Sequence, residues 1–397
     1  MSALAPLEDF PLLEQELDGR RITYLDSAST TPKPRAVIDA VVSYYTRIGA
    51  NVHRGVHPLG ERATEAFERA RYQVASLIGA SPSEIVFLRN ATEAVNLVAR
   101  GVGFGADAEV LAPASEHHSN FLPWHQHAQI ALVPIDEEAV PRWSEVSSLI
   151  TSKTRLLAFA QVSNVTGAIA PAEALCAAAN QRDVLTLVDA SQSVSHMAID
   201  VKQLGCDFLV FSGHKIFGPS GIGVLYARRE RMEKLGLDNV GGGMVSKSDE
   251  RGFVPREAPF RFEAGTPNIE GVIGLGAAVA YLRSLDLAKV RAHSQALGAL
   301  LVDGLTSLPG ARVLARSLPA EQRIALCTAS LPIPGLSQEG IARLLADAHS
   351  ILVSGGYHCA HLLHDRAQLP GTLRISAHAF NTEADVVRVV DALRELF

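Results

Sequence analysis

Four segments hold residues whose types and spacing could do chemistry, and each follows a run of apolar, β-rich residues. In FSGHKIFGPSGIGVLYA (211–227), Lys215 stands just after DFLVF, beside Ser212 and His214. A lysine next to a histidine at a strand end is open to a lowered pKa, and a neutral amine there can form a Schiff base with a carbonyl. In VLTLVDASQSVSH (184–196), Asp189 closes another apolar run, one strand–helix–strand unit before Lys215. A carboxylate in that place suits a pyridinium nitrogen, because it keeps the ring protonated as an electron sink. In NATEAVNLVARG (90–101), Asn90, Ala91 and Thr92 open an apolar helix. Such a helix start, with its free amides, is a phosphate-type anion site. In APASEHHSNFLPW (112–124), His117 and His118 follow EVLAP, and one imidazole is placed to stack on an aromatic ring.

Taken singly, each segment has a plainer reading. Lys215 is then an exposed lysine before turn glycines, and Asp189 the N-cap of the next helix. Thr92 belongs to an ordinary capped helix, and the two histidines are polar loop residues. A zinc site at the histidines lacks a third ligand at a sensible spacing. Together, however, they set a lysine, an aspartate, an anion-binding helix start and a histidine on strand ends of one sheet. Ligands of open α/β sheets sit beyond those ends. The set fits pyridoxal 5′-phosphate (PLP) better than a dinucleotide. Gly101, Gly103 and Gly105 do not follow a strand that opens a helix, so the dinucleotide fingerprint is absent.

The elements that must position these residues are legible around them. EIVFL, EVLAP, IALVPI, RLLAFAQV, VLTLVDA, DFLVFSG and GIGVLYA read as short buried strands. Helices are predicted near 92–101, 117–128, 141–150, 171–181 and 198–204. This alternation predicts an α/β fold with a mostly parallel sheet covered on both faces. Upstream, a short acidic helix and the strand ITYLD are expected within 1–30, then helices over 34–48 and 61–78, the second closed by Gly79. After about Ile273 the pattern changes. A long helical stretch to about Leu308 precedes strands near 311–315 and 325–331, a helix near 337–347 and strands near 351–353 and 372–376. A last helix starts at Thr382, where TEAD (382–385) is a capping box. The expected division is an N-terminal segment (1–30) packing with the small domain, a large PLP-binding domain (31–270) and a small α+β domain (271–397).

Composition bounds the function classes. The chain has 397 residues, 47% hydrophobic and 20% charged, which suffices for a large core and excludes a disordered or collagen-like chain. Lys and Arg number 36 against 42 Asp and Glu, a net charge of −6. That balance, with no long basic run, argues against nucleic-acid or anionic-membrane partners. The longest apolar stretch, Gly271 to Leu282, is too short to span a bilayer. The N-terminus carries acids where a signal peptide needs bases, so the expectation is a cytoplasmic protein. The four cysteines are too widely spaced for paired metal or redox motifs. Cys176, Cys206 and Cys327 sit in apolar surroundings, whereas Cys359 lies among Gly, His and Tyr.

The sequence resembles the class V aminotransferase-like enzymes, and within them the cysteine desulfurase/selenocysteine lyase group. The resemblance rests on YLDSASTTPKP, NVHRGVH, NATEAVNLVA, EHHSNFLPW, VSNVTG, VDASQSV, FSGHKIFGPSGIGVLY and RFEAGTPN, in that order, and spans residues from about 20 to the C-terminus. It implies a fold-type I PLP enzyme, a seven-stranded sheet and a homodimer. Lys215 then matches the Schiff-base lysine, Asp189 the partner of the pyridine nitrogen and Gln192 that of the phenolic oxygen. His117 matches the ring-stacking histidine. Ala91, Thr92, Ser212 and His214 match the phosphate end, and Thr266 the phosphate ligand given by the neighbouring subunit. Asn164 matches an asparagine near the substrate, and Arg374 the clamp on its carboxylate. Cys359, in SGGYHCAHLL, takes the place of the persulfide-forming cysteine, so Lys215, Cys359 and His117 are the implied catalytic residues. This loop departs from the usual pattern: Ser354 replaces an arginine, Tyr357-His358 a His-His pair and Leu362 a proline. The implied reaction takes sulfur from L-cysteine, or selenium from L-selenocysteine, releases L-alanine and passes the sulfur, as a persulfide on Cys359, to an acceptor protein or a small thiol. A PLP-dependent C–S β-lyase on a cysteine conjugate, a selenocysteine lyase, an epimerase and an inactive scaffold or binding protein of the same fold are the rival readings.

Overall fold

The computed structural model describes residues 2–397. Seven strands form the central sheet: β1 (Ile85–Leu88), β2 (Glu109–Pro113), β3 (Gln129–Val133), β4 (Thr154–Ala160), β5 (Leu185–Asp189), β6 (Phe208–Ser212) and β7 (Gly223–Ala227). Their order is β1-β7-β6-β5-β4-β2-β3. All neighbours are parallel except β7, which runs antiparallel to both β1 and β6. The mostly parallel seven-stranded sheet expected from the apolar runs is therefore present.

These runs are apolar on both faces because both faces are covered. In β6, Leu209 and Phe211 join one core cluster while Phe208 and Val210 join the other. The first cluster is closed by α1 (Arg35–Ser43), α2 (Pro58–Leu77), α4 (Ala172–Asn180) and α5 (Ile269–Ser284). The second is closed by α3 (Ala91–Gly101), which presents Ala94, Val95, Leu97 and Val98. α2 is well delimited by sequence: His57 accepts from Gly60 N, Pro58 is the first helical residue, and Gly79 follows the end with φ 71°.

A second unit follows. α6 (Leu287–Thr306), α7 (Gln338–His349) and α9 (Glu383–Arg394) pack on an antiparallel sheet of β8 (Arg312–Val313), β9 (Leu326–Ser330), β10 (Ser354–Gly356) and β11 (Thr372–Ser376), ordered β8-β9-β11-β10. The short α8 (His361–Ala367) lies between β10 and β11. The capping box at Thr382 is made in both directions with Asp385. Residues 23–28 pair with this unit: Thr23–Tyr24 runs parallel to Ile351–Leu352, and Ala28 N donates to Ser376 Oγ, while Ala5, Phe10 and Leu13 pack into the first cluster.

Several predicted helices are shorter than expected. The stretch 117–128 is two 3-10 turns, His118–Asn120 and Leu122–Gln126, because Pro123 cannot donate and its ring blocks a continuous α-helix. The acidic N-terminal helix is likewise two 3-10 turns, interrupted at Pro11. Within 141–150 only a 3-10 turn and Val146–Leu149 are helical, and within 198–204 only Val201–Leu204. The long stretch to Leu308 is α5 and α6, bent by 77° at Asp286, whose φ is 62° and whose carboxylate caps Ala288 N. Among the described residues no single helix is long and apolar enough to cross a membrane.

Candidate active site

Lys215 ends a short turn (Gly213–Lys215) directly after β6. That turn is fixed from outside. Thr31 N, Thr30 Oγ1 and Lys33 Nζ all donate to the His214 carbonyl, at 3.0, 3.2 and 3.0 Å. Burial lowers Lys33 itself to about 8. Lys215 Nζ has no hydrogen-bond partner among the described residues and faces a cavity of about 490 Å³ at the carboxyl ends of the strands. Burial pushes its ammonium below the usual lysine range, and the Asp189 carboxylate opposes that shift.

The cavity brings together nearly every residue singled out from the sequence: Ala91, Thr92, His117, Asn164, Asp189, Gln192, Ser212, His214, Lys215, Cys359 and Arg374. At one end stands the N-terminus of α3. Asn90 caps it by accepting from Glu93 N at 2.9 Å, and Ala91 N donates to Ser212 Oγ at 2.9 Å. Thr92 Oγ1 and Ser119 Oγ lie 2.7 Å apart. The close approach needs Gly223, because a Cβ there would lie 2.4 Å from Asn90 Cα. Burial, then Lys215, lowers His214 to about 4, so its ring is neutral.

Asp189 lines the same cavity at the end of β5 and is 8% exposed. Its Oδ1 accepts from Ser191 N at 2.9 Å. His117 Nδ1 accepts from Ser119 N at 3.0 Å, so the neutral ring carries its hydrogen on Nε2. Burial, then the Lys215 charge, lowers His117 to about 4. Beside it, Glu116 is buried and accepts from Asn120 Nδ2 (2.8 Å) and Ala160 N (2.9 Å); burial raises its carboxyl to about 8. Gln192 Nε2 donates to Ala28 O at 2.9 Å. An anion-binding helix start, a buried carboxylate, a neutral imidazole and an amine without a partner among the described residues form a set that fits a phosphorylated pyridine aldehyde.

The opposite wall comes from the second unit. Arg374, on β11, is 4% exposed. Nη1 donates to Asn164 O at 3.1 Å, and Nη2 to Ser29 Oγ (2.6 Å) and Asp26 Oδ1 (3.3 Å). Its Nε is buried with no partner among the described residues, a donor left open for a ligand oxygen. Asn164 Nδ2 in turn donates to His358 O at 2.9 Å. Cys359 is exposed, while Cys176, Cys206 and Cys327 are buried. Ser354 stands opposite Arg374 in the β10–β11 register and also lines the cavity.

Thr266 lies elsewhere. It lines a separate cavity of about 200 Å³ with Arg54, Gly243 and Arg256. Its loop is anchored by Glu263, whose carboxylate takes a two-pronged pair from the buried Arg71 (2.7 and 2.9 Å) and a bond from Phe87 N. Sequence reasoning missed the contribution of Asp26, Ala28 and Ser29. Their segment was visible as YLDSASTTPKP, but nothing in the order of residues tied it to Arg374.

The aminotransferase class-V family matches residues 23–389. A probable cysteine desulfurase of Pseudomonas aeruginosa is 43% identical over 393 residues, which is 97% of this chain and 96% of that protein. A probable cysteine desulfurase of Halalkalibacterium halodurans is 39% identical over 395 residues, again 97% of this chain and 96% of that protein. Among solved structures, an apo cysteine desulfurase from Thermococcus onnurineus superposes with a TM-score of 0.92 at 34% identity, covering 100% of this chain and 99% of that one. The cysteine desulfurase CsdA of Escherichia coli gives 0.88 at 34% identity, covering 98% and 97%. With its sheet, its lysine turn and this full-length similarity, the chain belongs to the aminotransferase class-V family, as one of its cysteine desulfurase-like members.

Proposed function

We propose that this protein is a PLP-dependent cysteine desulfurase. It takes the sulfur of L-cysteine, releases L-alanine and keeps the sulfur as a persulfide on Cys359. The observation that carries this reading is one cavity lined by the Lys215 amine, the Asp189 carboxylate, the Arg374 guanidinium and Cys359. Ala91 N, Thr92, Ser212 and His214 would hold the phosphate of PLP, Asp189 and Gln192 its ring atoms, His117 its face and Lys215 its aldehyde carbon. When bound, PLP supplies an electron sink for the charge left when Cα loses its proton.

The chain's own residues do the rest. Arg374, with its open Nε, takes an oxygen of the substrate carboxylate and so orients the Cα–H bond. Asn164 is held near it through the Arg374–Asn164 contact. Lys215, driven toward the neutral amine by burial, takes the Cα proton. The Cys359 thiolate then forms an S–S bond to the substrate sulfur as the Cβ–S bond breaks. The electron pair stays with carbon; Cβ takes up a proton, Lys215 returns its proton to Cα, and the product leaves as alanine. The persulfide passes to a small thiol or to an acceptor protein.

A second copy of the chain completes the site in this reading. Thr266 lies outside the Lys215 cavity, as a residue given to a partner's site would. Ile38, Val42 and Tyr45 form an exposed apolar stripe on and just after α1, and Val56 is 97% exposed. Apolar surface of that kind is normally covered. A monomer by sedimentation velocity would sink the dimer.

The test of function is product analysis of the PLP-loaded protein with L-cysteine and a reductant. Alanine and sulfide in equal amounts are expected. Pyruvate and ammonia would instead establish β-elimination.

A further inference from the structure

Three aromatic rings join beside the Cys359 loop, two of them stacked and the third hydrogen-bonded edge to edge. Tyr357 and His361 stack, 4.5 Å apart at 13°, and His361 meets His118 edge to edge, the two near-parallel rings 5.0 Å apart at 12°. In sequence Cys359 falls midway between the first two, while His118 comes from the loop after β2 of the central sheet.

His118 grips the loop twice. Its backbone N–H donates to Cys359 O at 2.8 Å. Its Nε2 faces the amide N of His361 at 3.5 Å and His361 Nδ1 at 3.2 Å. An amide can only donate, so Nε2 of His118 is the acceptor and its neutral ring keeps the hydrogen on Nδ1. His361 then donates from Nδ1. His361 is also the first residue of α8, whose N-cap, Ala360, has no side chain able to accept. His118 supplies that missing cap from the other unit. Tyr357 covers one face of the His361 ring.

The loop thus restrained does not hold its shape unaided. His358 and Cys359 are both left-handed, with φ of 49° and 56°. Non-glycine residues keep that conformation only where the surroundings impose it. β10, which leads into the loop, is the edge strand of its sheet and is paired on one side only.

We propose that Tyr357, His361 and His118 are positioning residues: their stacked and hydrogen-bonded rings clasp the loop against the central unit and aim Cys359 at the substrate sulfur. This rests on the reading of Cys359 as nucleophile. A reacting group displaced by about 1 Å costs up to about 100-fold in rate, and the clasp sets that placement without touching the substrate.

The test uses the PLP-loaded enzyme and Tyr357→Ala, His361→Ala and Tyr357→Phe. Amide hydrogen exchange of residues 356–363 is expected to quicken about tenfold in both alanine variants, with other segments unchanged. The kcat for alanine formation is expected to fall about tenfold, with the KM for cysteine held within about twofold. Tyr357→Phe keeps the ring and restores both. Unchanged exchange in the two alanine variants overturns the clasp, as does a Phe variant as loose as Tyr357→Ala. Faster exchange with an unchanged kcat overturns the positioning role. The nucleophile reading fails by a different result, sulfide output that survives Cys359→Ser.

Discussion

Lys215→Ala is expected to lower alanine formation by about 10⁴-fold or more while leaving the fold intact. The size follows from two duties meeting on one atom. In the proposed reaction, Nζ both anchors the cofactor covalently and moves the Cα proton, and loss of such a residue removes both together. The fold is spared because Nζ has no hydrogen-bond partner among the described residues, so truncation orphans nothing. The turn itself stays fixed by Thr30, Thr31 and Lys33 through the His214 carbonyl. The variant should therefore melt within a few degrees of the parent and still retain PLP through the Ser212, Thr92 and Ala91 end. A small added amine should restore part of the proton transfer. Turnover within about 100-fold of the parent would remove Lys215 from the mechanism.

The sequence shows one half of the site more plainly than the other, and the reason is physical. Asp189, Ser212 and Lys215 each follow an apolar run that the sheet buries on both faces, so strand and site were readable from one short window. Thr92 was readable because a helix start advertises itself through its cap. The Arg374 side is built otherwise. Asp26 and Ser29 meet Arg374 across 348 and 345 residues, and His118 meets His361 across 243. No local period encodes such pairs. The shortened helix at 117–128 has the same lesson in reverse. Its composition suits a helix, but Pro123 breaks it. The two tight turns that result carry His117 into the cavity and His118 toward the Cys359 loop.

That asymmetry matters for what each unit does. The central sheet offers fixed groups on strand ends: its carboxylate and its amine are held by backbone that cannot shift without disturbing the core. The Cys359 loop, by contrast, leaves an edge strand, turns through two left-handed residues and is tied down by a few polar and ring contacts. A nucleophile that must first meet a buried substrate and later present its sulfur to an acceptor needs such a mount. Rigid chemistry on one wall and a releasable thiol on the other are compatible only because separate units supply them.

Cys359→Ser separates the two walls experimentally. Formation of persulfide and of alanine should fall by about 10³-fold or more, since a hydroxyl does not replace a thiolate as a nucleophile toward sulfur. Nothing structural should change. Cys359 Sγ has no hydrogen bond among the described residues, and the contact that fixes this residue, from His118 N, goes to its carbonyl. Arg374 and Lys215 keep their places, so cysteine should bind as before. Lys215 should also still exchange the Cα proton: unreacted cysteine recovered from D₂O would carry deuterium at Cα. Deuterium without sulfide would place the block after proton removal and at the S–S bond. Full sulfide output from the serine variant would instead show that the thiol is a bystander, and that the lysine and arginine walls release sulfur without it.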